Sequence, residues 1–119
     1  MKYSEILKAN KDLTYMLNDG EYNIRILSNI ITSQINEILE FTLRSSFISA
    51  RVKSGDYDNI LQDSQKYSTS NVVIIFWELC NIIDGFHYKT ELLDDKQLEL
   101  VINKTKSEID FVLLNLKKT

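Results

Sequence analysis

Three short apolar runs in this chain end abruptly in polar clusters, and helical periodicity follows the first and the third. Tyr22-Asn23-Ile24-Arg25-Ile26-Leu27 runs into Ser28-Asn29. Ile48-Ser49-Ala50-Arg51-Val52-Lys53 runs into Gly55-Asp56-Tyr57-Asp58-Asn59. Val72-Val73-Ile74-Ile75-Phe76 runs into Trp77-Glu78-Leu79-Cys80-Asn81. Strands alternating with helices are the rhythm of β-α-β units and a parallel sheet. Parallel strands share one carboxyl edge, and open α/β sheets bind their ligands in the crevice there. The polar clusters are therefore expected to meet in space, which makes Ser28, Asn29, Asp56, Tyr57, Asp58, Trp77 and Glu78 the candidate ligand-binding residues.

The pattern also predicts the intervening elements. Residues 3–17 place Tyr3, Ile6, Leu7, Leu13, Met16 and Leu17 near helical spacing, with Ser4 as N-cap and Asn18-Asp19-Gly20 as the stop. This opening helix precedes the β-α repeat and is expected to cover an edge or face of the sheet. A strand at 22–28 is followed by a helix capped by Thr32 or Ser33, with Ile35, Ile38, Leu39, Thr42 and Leu43 as its buried stripe. A more polar second strand at 47–53 suits an edge. Residues 58–67 predict a short helix or ordered turn, and 72–77 a continuously apolar third strand covered on both faces. After a loop or broken helix around Gly85, a long helix spans about 92–116, its stripe Leu98, Ile102, Thr105, Ile109, Val112, Leu113 and Leu116.

Right-handed crossovers give the strand order 2-1-3 with helices on both faces, a small three-layer α-β-α unit. A sheet of three parallel strands leaves an edge exposed. The chain therefore reads as the first part of a larger α/β domain, or as a unit that pairs with something else.

Composition narrows the classes. A length of 119 residues suits a single domain with a modest core, and 44% hydrophobic with 26% charged residues is an ordinary globular balance. A net charge of -3 with no basic stripe argues against nucleic acid as a partner. Cys80 is the only cysteine, so no internal disulfide forms and a reducing cytoplasm is expected. The strongest apolar stretch, residues 72–77, is far short of the roughly 20 residues of a membrane span. Gly20, Gly55 and Gly85 are isolated, so no glycine-rich nucleotide fingerprint is present.

Ile26-Leu27-Ser28-Asn29, the later Gly55-Asp56-Tyr57-Asp58, and Val72-Val73-Ile74-Ile75-Phe76-Trp77-Glu78 together resemble the N-terminal region of FkbH-type proteins. These belong to subfamily IIIC of the haloacid dehalogenase (HAD) superfamily. The resemblance covers roughly residues 22–119 and implies an SGNH-hydrolase-like, Rossmann-like domain that precedes a HAD phosphatase-like domain. It further implies a parent enzyme handling phosphorylated or carrier-bound small molecules in polyketide, polysaccharide or other specialised biosynthesis, some members loading a glyceryl unit from bisphosphoglycerate onto an acyl carrier protein. Mg²⁺ and phosphoryl chemistry would belong to the HAD domain, whose Asp-x-Asp-x-Thr signature does not occur in this sequence. The chain itself is then the accessory half, without its own cofactor, and its implied partners are the HAD domain or an acyl carrier protein.

Each candidate residue has a plainer role beside the functional one. Ser28 lies where SGNH hydrolases carry their nucleophile, but a nucleophilic serine needs a base, and His87 is the only histidine. Capping or bonding the loop is the simpler role. Asp56-Tyr57-Asp58-Asn59 compares with a metal-binding aspartate pair, yet a turn held by Asp side chains explains it too. Trp77 fills a sheet edge, and Glu78 either anchors structure or lines the crevice. Asn81 and Asp84 read as turn and cap residues, and Cys80 as a small core residue. Three functions stay open: a substrate-positioning or interaction domain, an SGNH-like esterase using Ser28 or a phosphoryl-transfer site on Asp56, and a self-associating module pairing through an exposed strand.

Overall fold

Side chains that alternate along β1 (Tyr22–Ser28) divide the molecule into two cores. Ile24 and Ile26 point to one face of the sheet, where they join Ala50, Val52, Val72, Ile74 and Phe76 beneath Leu39 and Leu43. Leu27 points to the other face, joining Ile60, Val112, Val73, Ile75 and Trp77. Ile26 and Leu27 are fully buried, each side chain stabilising the fold by about 1.5–3 kcal/mol. In this computed structural model residues 1–67, 69–79 and 90–117 are described.

β1 lies between β2 (Ala50–Ser54) and β3 (Val72–Phe76), both parallel to it, in the order β2-β1-β3. Ile24 pairs with Val52 on one side and Val72 on the other. Helix α1 (Tyr3–Asp12) leads into a 3-10 stretch, Leu13–Asp19, that ends at Gly20 with φ 115. α2 (Ser33–Ser45) covers one face of the sheet; α3 (Ile60–Lys66) and α4 (Asp95–Leu116) cover the other. The α/β class, the parallel sheet, its order and the long last helix agree with the sequence reading. Residues 80–89, which include Cys80, Asn81, Asp84, Gly85 and His87, lie outside the described residues.

Several local expectations are corrected. Lys2 rather than Ser4 caps α1, its N–H donating to Glu5 Oε2 at 2.8 Å. α1 packs on α2, and its one buried residue is the polar Asn10. Of the stripe expected on α2, Ile35, Ile38 and Thr42 are exposed, and only Leu39 and Leu43 reach the core. On α4, Ile102 and Leu113 are exposed, while Thr105, Val112 and Asn115 are buried.

β2 begins at Ala50 because the preceding residues finish α2 instead. Phe47 N–H bonds to Arg44 O and Ile48 N–H to Leu43 O, a Schellman closure with Phe47 in the left-handed region at φ 64.

The outer edge of β2 is closed by side chains. Gly55 N–H donates to Ile26 O and Tyr22 N–H to Ser49 O, so the backbone groups of Ala50 and Val52 face away from β1. Glu40 Oε2 accepts from the Val52 N–H at 2.8 Å, and Arg44 Nε donates to Ala50 O at 3.0 Å. Arg44 is 4% exposed and also bonds Glu40 and Asn10, so this i,i+4 pair on α2 occupies the place of a further strand.

Candidate functional site

The carboxyl ends of all three strands come together along one rim, as parallel pairing requires. Asp58 N–H donates to Ser28 O at 3.0 Å, joining the first polar cluster to the second. Asn29 N–H donates to Phe76 O at 3.2 Å, tying the first cluster to the end of β3, just before the third.

Ser28 and Asn29 are buried. The Ser28 hydroxyl donates to Ile30 O at 2.6 Å and thereby fixes the turn between β1 and α2. Asn29 is fully buried and spans to the end of β3: its Nδ2 donates to Glu78 O at 2.9 Å, and its Oδ1 accepts from Glu78 N–H at 2.7 Å. Glu78 itself is exposed. Trp77 packs into the apolar cluster with Leu27, Ile60 and Val112, so its ring supports the rim from below.

Asp56, Tyr57 and Asp58 are all exposed, and Asp58 adopts φ 51, a left-handed conformation that Asp tolerates. The turn is indeed held by a carboxylate, but by one that sequence reasoning missed. Asp63, 2% exposed on α3, accepts from Asp56 N–H at 2.8 Å through Oδ2 and from Asn59 Nδ2 at 3.1 Å through Oδ1. Gly55 leaves room for it, since a Cβ there would collide with Asp63 Oδ2 and stand 2.9 Å from Leu27 Cδ2. The one available signal was an acid four residues after Asn59, within the first turn of a short helix.

Between the ends of β1 and β2 the chain leaves a concavity of about 190 Å³. Ser28, Thr32, Ser33, Ser54, Gly55 and Tyr57 contribute to its wall, at the start of α2. Thr32 Oγ1 lies 3.3 Å from Ser54 Oγ, which accepts from Asn36 Nδ2 at 2.6 Å. Thr32, expected as a cap for α2, spends its hydroxyl on this contact and makes no side-chain cap bond. Thr32, Asn36 and Ser54 are thus additions to the predicted set. A larger concavity, about 430 Å³, lies between α1, α2 and the β2 edge. Its buried polar groups, Asn10 and Arg44, are bonded to one another and to backbone, which marks it as structural.

At the far end of α3, Tyr67 sits between Arg25, 4.3 Å from the ring centroid, and Lys66, 5.1 Å from it. The hydrogen bond to Tyr67 holds the Lys66 ammonium above its ordinary pKa. Among the described residues no cluster of three or more His, Cys, Asp or Glu is placed to hold a metal ion. No helix among them is long and apolar enough to cross a membrane.

The fold and rim define a small parallel α/β unit with a polar carboxyl edge. Comparison with family models, curated proteins and solved structures gives no match.

Proposed function

We propose that this chain is a substrate-positioning or interaction domain without turnover of its own, the SGNH-like N-terminal part of an FkbH-type HAD protein. The observation that carries this reading is the Ser28 hydroxyl, which donates at 2.6 Å to the Ile30 carbonyl and serves the turn. An activated serine donates to a base instead. The neighbouring concavity of about 190 Å³ suits a small polar group or the arm of a carrier protein. Ser28, Thr32, Ser54 and Tyr57 would meet the ligand, with Asp56, Asp58 and Glu78 exposed along the same rim. Magnesium and phosphoryl transfer would reside in the HAD domain, and the likeness to that family makes the HAD domain or an acyl carrier protein the partner. The single cysteine fits a cytoplasmic location.

Esterase and phosphatase assays on the chain test the absence of turnover, and activity abolished by Ser28→Ala would replace this reading with a hydrolase. Titration with acyl carrier protein or bisphosphoglycerate, followed by backbone NMR, tests the site. Shifts are expected at Ser28, Thr32, Ser54 and Tyr57, and a response confined to other residues would remove the site.

A further inference from the structure

The two edges of the sheet are unlike. On β2 the outward N–H of Val52 and C=O of Ala50 are taken by Glu40 and Arg44. On β3 the pairing of Ile24 with Val72 and of Ser28 with Phe76, together with the Asn29 N–H bond to Phe76 O, turns Val72, Ile74 and Phe76 toward β1. The backbone groups of Val73 and Ile75 therefore face away from the sheet, and no hydrogen bond among the described residues reaches them. β3 also has the composition of a central strand: every residue from Val72 to Phe76 is apolar, and every one is only half-buried. Edge strands that stay unpaired carry charge, proline or a cover. A groove of about 330 Å³ runs beside this edge, walled by Val73, Ile75, Leu113 and Leu116, with Asn71 and Lys117 at its amino end.

We propose that β3 is an assembly edge, and that its occupant is β3 of a second copy of this chain, antiparallel across a two-fold axis near Ile74. Three observations favour that occupant. Placing Val73 opposite the partner's Ile75, and Ile75 opposite the partner's Val73, satisfies the outward N–H and C=O of both residues in each copy. The incoming strand must be apolar on the α4 face to suit the groove, and Val73 and Ile75 of a second β3 present that face. The same operation brings Lys117, at the amino end of the groove, toward the partner's Glu78 beyond the carboxyl end of its strand. Two three-stranded sheets then become one continuous sheet, with both α4 helices on the same face and Leu113, 46% exposed, turned toward the junction. Because the β2 edge is closed, the assembly stops at two copies and does not grow into a filament.

Sedimentation velocity across the micromolar range, with amide hydrogen exchange at low and high concentration, tests this. The expected result is a monomer–dimer equilibrium in which the Val73 and Ile75 amides gain protection as concentration rises. Ile75→Pro removes an outward N–H and no bond to β1, and Leu113→Lys places charge in the groove. Each should weaken dimerisation by about tenfold or more. A chain that stays monomeric overturns the proposal. So does a dimer with unprotected Val73 and Ile75, or one indifferent to Leu113→Lys, whether or not Ile75→Pro folds. The carboxyl rim is built from other residues, so its ligand titration succeeds or fails independently.

Discussion

Asn29 holds the end of β3 by both atoms of its amide, Nδ2 to Glu78 O at 2.9 Å and Oδ1 to Glu78 N–H at 2.7 Å. The Asn29 side chain is fully buried, while Glu78 lies at the exposed rim, so both bonds are part-buried. Asn29→Ala leaves two backbone groups without their side-chain partner, at about 1–3 kcal/mol each when buried. With Glu78 exposed, the expected loss, read by urea denaturation, is about 1–3 kcal/mol in all. A loss below about 0.5 kcal/mol would mean that the clamp adds little to the fold.

Gly55 and Asp63 form a steric and polar pair. Gly55→Ala pushes a methyl group against Asp63 Oδ2 and Leu27 Cδ2, and overpacking of this kind costs about 1–3 kcal/mol. Asp63→Ala removes the acceptor for Asp56 N–H and Asn59 Nδ2. It also removes the atom that the new methyl would strike. The double variant should therefore lose clearly less than the sum of the single losses, and additive losses would deny the contact.

Arg44 is buried among Glu40, Asn10 and Ala50 O, so Arg44→Met strands a carboxylate and a strand carbonyl. Breaking a buried pair from one side costs about 3–5 kcal/mol, and with Glu40 14% exposed the expected loss is about 2–4 kcal/mol. Glu40→Gln keeps an acceptor for the Val52 N–H and should cost less. Arg44→Met also uncovers the β2 edge. It should raise aggregation during thermal melts, and a variant that melts reversibly at high concentration would contradict that.

Phe47 is 91% exposed at φ 64, so its ring contributes little burial while its backbone occupies a region costly for a bulky residue. Phe47→Gly relieves about 1–2 kcal/mol of left-handed strain against about 0.5–1 kcal/mol of added chain entropy. Equal or higher stability is expected, by up to about 1 kcal/mol in chemical denaturation. A clear loss would show that the ring makes contacts that matter.

These residues mark where the sequence was readable. β1 was legible to its ends because Ile24, Ile26 and Leu27 form a dense run bounded by Gly20 and Ser28-Asn29. β2 starts later than its apolar pattern suggests, because Phe47 and Ile48 look like strand residues and their use in closing α2 depends on hydrogen bonds to Arg44 and Leu43. The buried stripe on α2 is narrower than its periodicity suggests for a related reason. α1 occupies part of that helix's surface through Asn10, and no periodicity shows which apolar side chains a neighbouring helix will leave exposed.

At the rim, the meeting of Ser28, Asp58 and Glu78 followed from strand direction alone. The roles of Asp63, Thr32 and Ser54 did not, since each depends on a partner in another element.

The sequence by itself determined the three strands, their parallel order and the edge on which the polar clusters gather. Those features rest on apolar periodicity, a signal summed over many neighbouring residues. Only the tertiary structure decided that Glu40 and Arg44 close one edge of the sheet, that no described residue bonds the outward backbone of β3 at the other, and that Asn29 and Asp63 fix the rim. The closing of that edge and the fixing of the rim each rest on one or two directional hydrogen bonds, across 6–49 residues of chain. A shift of an ångström or two breaks such a bond without altering any local pattern.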